Sequence, residues 1–163
     1  MPGSNLLRRG RYSTPGQTYL VTSTVENRQP VFADFHLGRL VVDELRRAQE
    51  QGLVSSLAWV VMPDHLHWLL QLKKGTLPDL MQQVKARSSN AINKARQSTG
   101  RLWQVSFHDK TIRRDQELIN VARYIIANPL RANLVRYIGD YPLWDAIWLE
   151  STPDVSTQHD WLS

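Results

Sequence analysis

The sequence predicts an α+β fold of the ferredoxin-like type, a βαββαβ antiparallel sheet with an additional C-terminal helix. Three observations lead to this prediction. Short segments rich in β-branched, aromatic and apolar residues indicate strands. Two long segments between them place apolar residues at helical spacing. Their order along the chain is strand, helix, strand, strand, helix, strand, which matches the split βαβ arrangement, and a third helical pattern follows.

The first strand and the first helix are indicated by local composition. Residues Tyr19–Val25 are mostly β-branched or aromatic and predict a strand. Asp34 is a suitable N-cap for a helix that reaches about Gln51, and Gly52 follows its end. The apolar face of this helix consists of Leu37, Leu40, Val41, Leu45 and Ala48.

A hairpin and a second helix are predicted next. Residues Leu57–Met62 form an apolar run suited to a buried strand, and Pro63–Asp64 is a turn signal. Residues His65–Leu72 then predict an antiparallel partner strand. The second helix is expected from about Leu77 to Gln97, with apolar residues along one side.

The last strand and the third helix complete the pattern. Partial alternation of apolar and polar residues over Trp103–Ile112 predicts a strand. Asp115 is expected to cap a helix that carries Tyr124. We expect Pro129 to end that helix, because the residue before a proline is pushed out of the α region.

Length and composition bound the class of protein. The chain has 163 residues, which suits one domain, and its formal net charge of +5 favours a polyanionic partner, although many proteins are mildly basic without binding one. The absence of cysteine excludes a disulfide framework, a thiolate zinc site and a cysteine nucleophile. No apolar run is long enough for a signal peptide or a membrane span, so we expect a cytoplasmic protein without a membrane partner. We divide the chain into a basic arm (1–16), a main domain (17–138) and a C-terminal extension (139–163).

A pair of histidines opens the third predicted strand. Side chains alternate along a strand, so His65 and His67 face the same way and their ring nitrogens can meet one cation. The opposite face carries the apolar residues Leu66, Trp68 and Leu70. Two alternatives remain: histidines that only make hydrogen bonds at a strand edge, or a structural zinc site, which without cysteine needs further histidine or carboxylate ligands.

A tyrosine and an asparagine share one face of the third helix. Tyr124 and Asn128 stand four residues apart. A phenol has an unperturbed pKa of about 10, and it becomes a useful nucleophile when a cation polarises the electrophile. A carboxamide oxygen beside two imidazoles gives a mixed ligand set that suits Mg²⁺ or Mn²⁺. The alternative is a core tyrosine and an asparagine that serves only as a turn residue before Pro129.

Four local patterns together resemble one family. Residues Val61–His67 resemble the metal-binding His-hydrophobic-His motif of HUH endonucleases in the form that single-tyrosine transposases use. Residues Tyr124–Val135 resemble the tyrosine helix of those enzymes. Shorter likenesses are found at Leu102–Gln104, Phe107–Lys110, Ile112–Arg113, Asn27–Arg28 and Pro30–Phe32. The likeness spans about residues 11–148 and is strongest to the REP-associated tyrosine transposases.

The resemblance implies a function. Members of this family bind repetitive extragenic palindromes as DNA hairpins and cut nearby single-stranded DNA, leaving a 5′-phosphotyrosine link and a free 3′-hydroxyl. By position, Tyr124 would be the nucleophile, and His65, His67 and Asn128 would hold a divalent cation, Mg²⁺ or Mn²⁺. A monomer associated with the bacterial nucleoid is expected, with a dimer as the alternative. This chain has Asn133 where relatives often have glycine, and we expect the turn to survive because asparagine tolerates the left-handed conformation.

Several basic and aromatic residues are candidate DNA contacts. Each kind has an alternative: the lysine can be a solvated charge, the N-terminal arginines can belong to a disordered arm, and the tryptophan can belong to the core. These candidates are Arg8, Arg9, Arg11, Lys85, Arg113, Arg131 and Trp144. Two rival functions also remain: a non-catalytic single-stranded nucleic-acid-binding domain, and a phosphodiesterase that activates water in place of tyrosine.

Overall fold

The structure of the protein is a computed structural model that describes residues 13–147. The predicted arm residues Arg8, Arg9 and Arg11 therefore lie outside the described residues. The elements in chain order are β1 (Thr18–Thr24), α1 (Phe35–Glu50), β2 (Val54–Met62), β3 (His65–Leu72), α2 (Leu77–Arg96), β4 (His108–Ile112), α3 (Asp115–Arg131) and β5 (Trp144–Ala146). Short 3-10 turns lie at Glu26–Arg28, Val31–Ala33 and Ile138–Asp140.

The five strands form one antiparallel sheet in the order β4-β1-β3-β2-β5. The predicted ferredoxin-like βαββαβ arrangement is confirmed for the four strands β4-β1-β3-β2. β5 is an added edge strand that pairs with β2. Residues 144–146, within the predicted C-terminal extension (139–163), thus belong to the sheet, and Tyr141 and Leu143 are buried in the core.

The alternation along β3 separates two faces of the sheet. Leu66, Trp68 and Leu70 are completely buried in the main hydrophobic core, as the sequence pattern indicated. The histidines alternate with them and therefore point to the other face. Helix α3 contacts β2, β3 and β5 and brings Tyr124 onto that face.

The signals at the ends of the helices are largely confirmed. Asp34 caps α1, because its Oδ1 accepts a hydrogen bond from the backbone of His36 at 3.0 Å. Gly52 follows α1 with a φ of +75°. Asp115 was predicted as the cap of α3, but it is the first helical residue and the cap position belongs to Arg114.

β4 is shorter than predicted. Only residues His108–Ile112 form the strand, and Trp103 makes a single isolated bridge to Val25. The carbonyls of Gln104 and Ser106 accept hydrogen bonds from Lys85 Nζ at 2.9 and 3.0 Å. These carbonyls point towards α2 and not into a strand ladder, which explains the interruption.

The prediction that Pro129 ends the tyrosine helix was wrong, because α3 continues to Arg131. A proline has no N–H for the carbonyl four residues before it, here that of Ile125. The side chain of Asn128 compensates, since Nδ2 donates to Ile125 O at 3.4 Å and to Tyr124 O at 3.0 Å. The expectation for Asn133 is confirmed: it adopts a φ of +59° just after the helix.

Candidate functional site

The β2–β3 hairpin positions the two histidines. β3 begins directly after the Pro63–Asp64 turn, and pairing places His65 opposite Thr24 and His67 opposite Thr22 of β1. The ring centroids of the two histidines are 4.8 Å apart, with an angle of 80° between the ring planes. Both rings therefore lie on one face of the sheet, close enough to share a cation.

Each histidine uses its Nδ1 atom in a contact behind the site. His65 Nδ1 lies 2.6 Å from Asp64 Oδ1, and His67 Nδ1 lies 2.9 Å from Thr22 Oγ1. The carboxylate of Asp64 can only accept, so in a neutral His65 ring the proton lies on Nδ1 and Nε2 keeps its lone pair. The hydroxyl of Thr22 can donate or accept, and it can accept the Nδ1 proton when His67 presents Nε2 to a metal. The site therefore has an outer layer of hydrogen bonds that suits two Nε2 ligands.

Asp64 is itself held in place by the segment after β1. Its backbone carbonyl accepts a hydrogen bond from Val25 N at 2.9 Å. Arg28 Nε lies 3.8 Å from the second carboxylate oxygen. The stretch around Asn27–Arg28, which we noted in the sequence only for its resemblance, thus supports the partner of His65.

The electrostatics favour a neutral imidazole at His67. The pKa of His67 is lowered to about 4, chiefly by burial and in addition by the nearby charges of His65 and Arg131. A metal ligand must be deprotonated, so protons do not compete for this ring near neutral pH. His67 is therefore ready to act as a ligand without first losing a proton.

Tyr124 reaches the histidines from helix α3. Its ring centroid is 5.8 Å from that of His67, in an edge-on arrangement at 71°. The side chain is 49% exposed, so a substrate can reach it. The guanidinium carbon of Arg131 lies 4.0 Å from the centroid of the same ring. The structure thus brings a phenol, an imidazole pair and one cationic side chain together within a single chain.

The amide of Asn128 is oriented by the helix backbone. The residue is buried, with 8% of its surface exposed, and its Nδ2 donates to the carbonyls of Tyr124 and Ile125. Because the amide nitrogen is identified by these two acceptors, the other terminal atom is the carbonyl oxygen Oδ1, which can only accept. Oδ1 is therefore available as an oxygen ligand one helical turn beyond Tyr124.

The donor chemistry agrees with a divalent cation. Within residues 13–147 no group of three histidine, cysteine, aspartate or glutamate side chains is placed to hold a metal. The Asn128 carboxamide, which the sequence predicts as a third ligand, lies on α3, the helix that also carries Tyr124. Two imidazole nitrogens and one amide oxygen leave coordination positions for substrate oxygens.

Lys85 lies in a cleft of about 850 Å³ between α2 and residues 101–107. Two of its N–H groups are used by the carbonyls of Gln104 and Ser106, and Nζ is 5.8 Å from the centre of the Phe107 ring. Burial lowers the pKa of Lys85 to about 8. Its evident role in the structure is to attach residues 104–107 to α2.

The other candidate DNA contacts are distributed unevenly. Arg131 lies in the site. Arg113 is exposed and follows Ile112, which pairs with Thr18 at the start of β1. The histidines pair with the other end of β1, so Arg113 lies away from them. Trp144 is half-buried on β5, and its Nε1 donates to Ile138 O at 2.9 Å. The indole N–H is thus already used within the protein.

Three features of the site were not identified from the sequence. The first is the contact of Asp64 with His65, which only the adjacency of the two residues in the sequence could have indicated. The contact of Thr22 with His67 depends on the register between β1 and β3, and nothing in the sequence reports that register. The same register places exposed His108 opposite Thr22, on the face that carries His67.

Much of the chain is similar in sequence to known transposases. Residues 14–128 match the model of the family described as "Transposase IS200 like". The REP-associated tyrosine transposase of Escherichia coli K12 is 24% identical over 136 residues, covering 81% of this chain and 78% of the relative. A putative REP-associated tyrosine transposase of Haemophilus influenzae is 26% identical over 144 residues, covering 79% of each chain.

Two solved structures are also similar. A REP-associated tyrosine transposase bound to a REP hairpin matches with a TM-score of 0.70 at 22% identity, covering 82% of this chain and 79% of the other. A putative transposase from Deinococcus radiodurans matches with a TM-score of 0.51 at 23% identity, covering 82% of this chain and 97% of the other. At these identities the likeness shows the fold. None of the helices within the described residues is long and apolar enough to cross a membrane.

The family model covers 115 consecutive residues, from the segment before β1 to the Asn128 of the candidate site. It includes both histidines, Tyr124 and the four strands β4-β1-β3-β2. On this match, the chain belongs to the IS200-like transposase family.

Proposed function

We propose that this transposase is a metal-dependent single-strand DNA endonuclease and strand transferase that acts beside palindromic DNA hairpins of the REP type. The observation that carries the proposal is the contact between the Tyr124 and His67 rings, 5.8 Å apart between centroids in one chain. A nucleophile and a metal ligand at this separation can act on one phosphate. The REP-associated relatives and the hairpin-bound neighbour suggest the class of DNA.

In the proposed reaction the phenol oxygen of Tyr124 attacks phosphorus in the DNA backbone. One phosphorus–oxygen bond forms to the tyrosine, and the bond to the 3′ oxygen breaks, so that a 5′-phosphotyrosine and a 3′-hydroxyl result. The proton of the phenol balances the proton that the 3′ oxygen gains. Because one phosphodiester replaces another, the reverse reaction can rejoin strands at little net cost.

The chain's own residues would orient this reaction. His65, His67 and Asn128 would hold Mg²⁺ or Mn²⁺, which supplies Lewis-acid polarisation of the scissile phosphate when bound. Asp64 and Thr22 hold the two imidazoles with Nε2 free, which limits the reorganisation needed for ligation. His67 stays neutral because burial lowers its pKa to about 4.

The experiment uses the full chain and a labelled DNA hairpin with single-stranded flanks. Wild-type protein with Mn²⁺ or Mg²⁺ is expected to give a covalent protein–DNA adduct that resists denaturation, and EDTA is expected to prevent it. Tyr124→Phe is expected to lose the adduct and to retain hairpin binding. Tyr137→Phe is the matched control, because Tyr137 is 62% exposed and lies beyond α3.

The rival functions give different outcomes. Cleavage that persists in Tyr124→Phe without an adduct would mean that water is the nucleophile. Hairpin or single-strand binding by the wild type, with no cleavage under any divalent cation, would favour the non-catalytic binding domain. Both outcomes would reject the proposed mechanism. The proposed state is a monomer, because Tyr124 meets His67 of its own chain, and a dimer that exchanges α3 is the alternative.

A further inference from the structure

Arg131 contacts both the ring and the backbone of Tyr124. Its guanidinium carbon lies 4.0 Å from the centroid of the Tyr124 ring. Its Nη2 donates a hydrogen bond to the backbone carbonyl of Tyr124 at 3.2 Å. The arginine stands seven residues after the tyrosine, so both contacts require its side chain to fold back along α3. One side chain therefore restrains one tyrosine at two points.

This restraint matters because Tyr124 is not held by the core. The side chain is 49% exposed, whereas its helical neighbours Ile125 and Ile126 are buried. The edge-on contact with His67 lies on one side of the ring, and Arg131 lies against it as a second support. A half-exposed aromatic with one contact can change rotamer, and a catalytic group must be held within about 0.5 Å and 10–20° of its working geometry.

The local sequence explains why the backbone contact exists. Pro129 deprives the carbonyl of Ile125 of its helical donor, and the amide of Asn128 turns towards both Ile125 and Tyr124. Arg131 adds a second side-chain donor at the Tyr124 carbonyl. The helical turn that carries the tyrosine is thus braced by two side chains from the turns that follow it.

We infer that Arg131 is a positioning residue for Tyr124: it holds the phenol ring against His67 in the orientation needed for attack. The inference rests on the proposed function and goes beyond our first assignment of Arg131 as a DNA contact. An arginine suits this role, because its planar fork can lie against an aromatic ring while an N–H reaches the carbonyl. A lysine keeps the charge but offers no planar fork.

The kinetic experiment separates positioning from phosphate binding. Single-turnover adduct formation on the labelled hairpin is measured against DNA concentration for Arg131→Met, Arg131→Lys and wild type. Arg131→Met is expected to slow the chemical step about 10- to 100-fold, the range that misplacement of a reacting group causes. Its half-saturating DNA concentration is expected to stay within about twofold of wild type, and Arg131→Lys is expected to be as slow as Arg131→Met.

Arg136→Met is the matched control. Arg136 is an exposed arginine beyond α3 that lines a groove with Leu134 and Tyr137. The control removes the same charge from the same region, and its chemical step is expected to match wild type. Full rescue of the rate by Arg131→Lys, or a loss of DNA affinity that accounts for the slower reaction of Arg131→Met, would overturn the inference, because a phosphate contact gives those results.

A second measurement does not depend on activity. Fluorotyrosine is incorporated into the full chain, and the ¹⁹F resonance of position 124 is assigned by its loss in Tyr124→Phe. Arg131→Met is expected to shift this resonance and Arg136→Met to leave it in place. If the wild type forms no adduct, the proposed function fails, and this resonance still decides the inference. An unchanged resonance in Arg131→Met would mean that the arginine does not hold the ring.

Discussion

At the scale of single residues, the site depends on hydrogen bonds behind the two imidazoles. Thr22 is a half-buried threonine on a neighbouring strand, and its hydroxyl lies 2.9 Å from His67 Nδ1. With Nε2 on a metal, Nδ1 carries the proton and donates to this oxygen. In the proposed metal site, Thr22 would therefore contribute to metal affinity without touching the metal.

Thr22→Val is expected to weaken Mn²⁺ binding about 10- to 100-fold, because loss of such an outer partner frees the ring and its tautomer. Isothermal titration of the full chain with Mn²⁺ measures the effect. Thr24→Val is the control, since Thr24 lies on the same strand and face but opposite His65. Equal affinities for wild type and Thr22→Val would show that the hydroxyl does not orient the ligand.

His67 predicts how the metal-free protein responds to acid. Burial holds its pKa at about 4 in the folded state, against an ordinary value of 6.5 in the unfolded chain. The unfolded chain therefore binds more protons between these two pH values, so the contribution of His67 to stability is present above pH 6.5 and is lost as pH falls to about 4.

Replacing this ring with a group that does not titrate removes the effect. The free energy of unfolding in EDTA is expected to fall less between pH 7 and pH 4 for His67→Asn than for wild type, by up to about 3 kcal/mol. Urea unfolding at several pH values measures it. His108→Asn, which removes an exposed histidine from the same face, is the control. Parallel pH profiles of wild type and His67→Asn would contradict the prediction.

At the scale of elements, α3 combines a proline with the residue that compensates for it. The amide of Asn128 supplies the hydrogen bond that Pro129 cannot give to Ile125 O. The same orientation of the amide leaves Oδ1 free for a cation. Helix continuity in α3 and the proposed placement of a metal ligand therefore depend on one side chain.

Asn128→Ala is expected to lower the free energy of unfolding by about 1–3 kcal/mol, since it removes the donor that the Ile125 carbonyl has in place of a proline N–H. In a Pro129→Ala background the new N–H can reach Ile125 O, so the loss is expected to be smaller by about 1 kcal/mol. Denaturant unfolding of the wild type, Asn128→Ala, Pro129→Ala and the double variant gives the coupling free energy between the two substitutions. Additive losses would show that the amide does not replace the missing donor.

At the scale of the whole molecule, the segment after α3 closes the sheet and the core. β5 pairs with the edge of β2, the Tyr141 hydroxyl donates to Val61 O at 2.6 Å, and Leu143 is completely buried. Leu143 packs against Gly38 of α1 so closely that a Cβ at position 38 would collide with its side chain. The segment before β5 and helix α1 therefore pack closely against each other at Gly38 and Leu143.

This contact predicts a coupled pair of substitutions. Gly38→Ala is expected to destabilise the protein by about 1–3 kcal/mol through overpacking, although alanine in a helix is ordinarily favoured over glycine by about 1 kcal/mol. In a Leu143→Ala background the same change is expected to be neutral or stabilising. Gly139→Ala, where a Cβ meets nothing within 4 Å, is the control in thermal unfolding. A clash that persists without the leucine would contradict this packing.

The sequence by itself determined the elements whose signals are local. The bounds of β3, the cap of α1 and the left-handed turn at Asn133 agree with the structure, because caps, alternation and turn residues act within a few positions of the chain. The shared face of His65 and His67 follows from alternation alone. The helical continuation through Pro129 was missed, since a side chain, and not the backbone, provides the hydrogen bond.

Only the tertiary structure decided which of these local features meet. The register of β1 against β3 puts Thr22 behind His67, the packing of α3 across the sheet puts Tyr124 beside the same ring, and Arg131 folds back onto the tyrosine. The tertiary structure also decides that Lys85 donates hydrogen bonds to the carbonyls of residues 104 and 106. Strand register and helix placement follow from the summed burial of the whole core, so a reader of local sequence sees the candidate site residues but not the contacts that organise them.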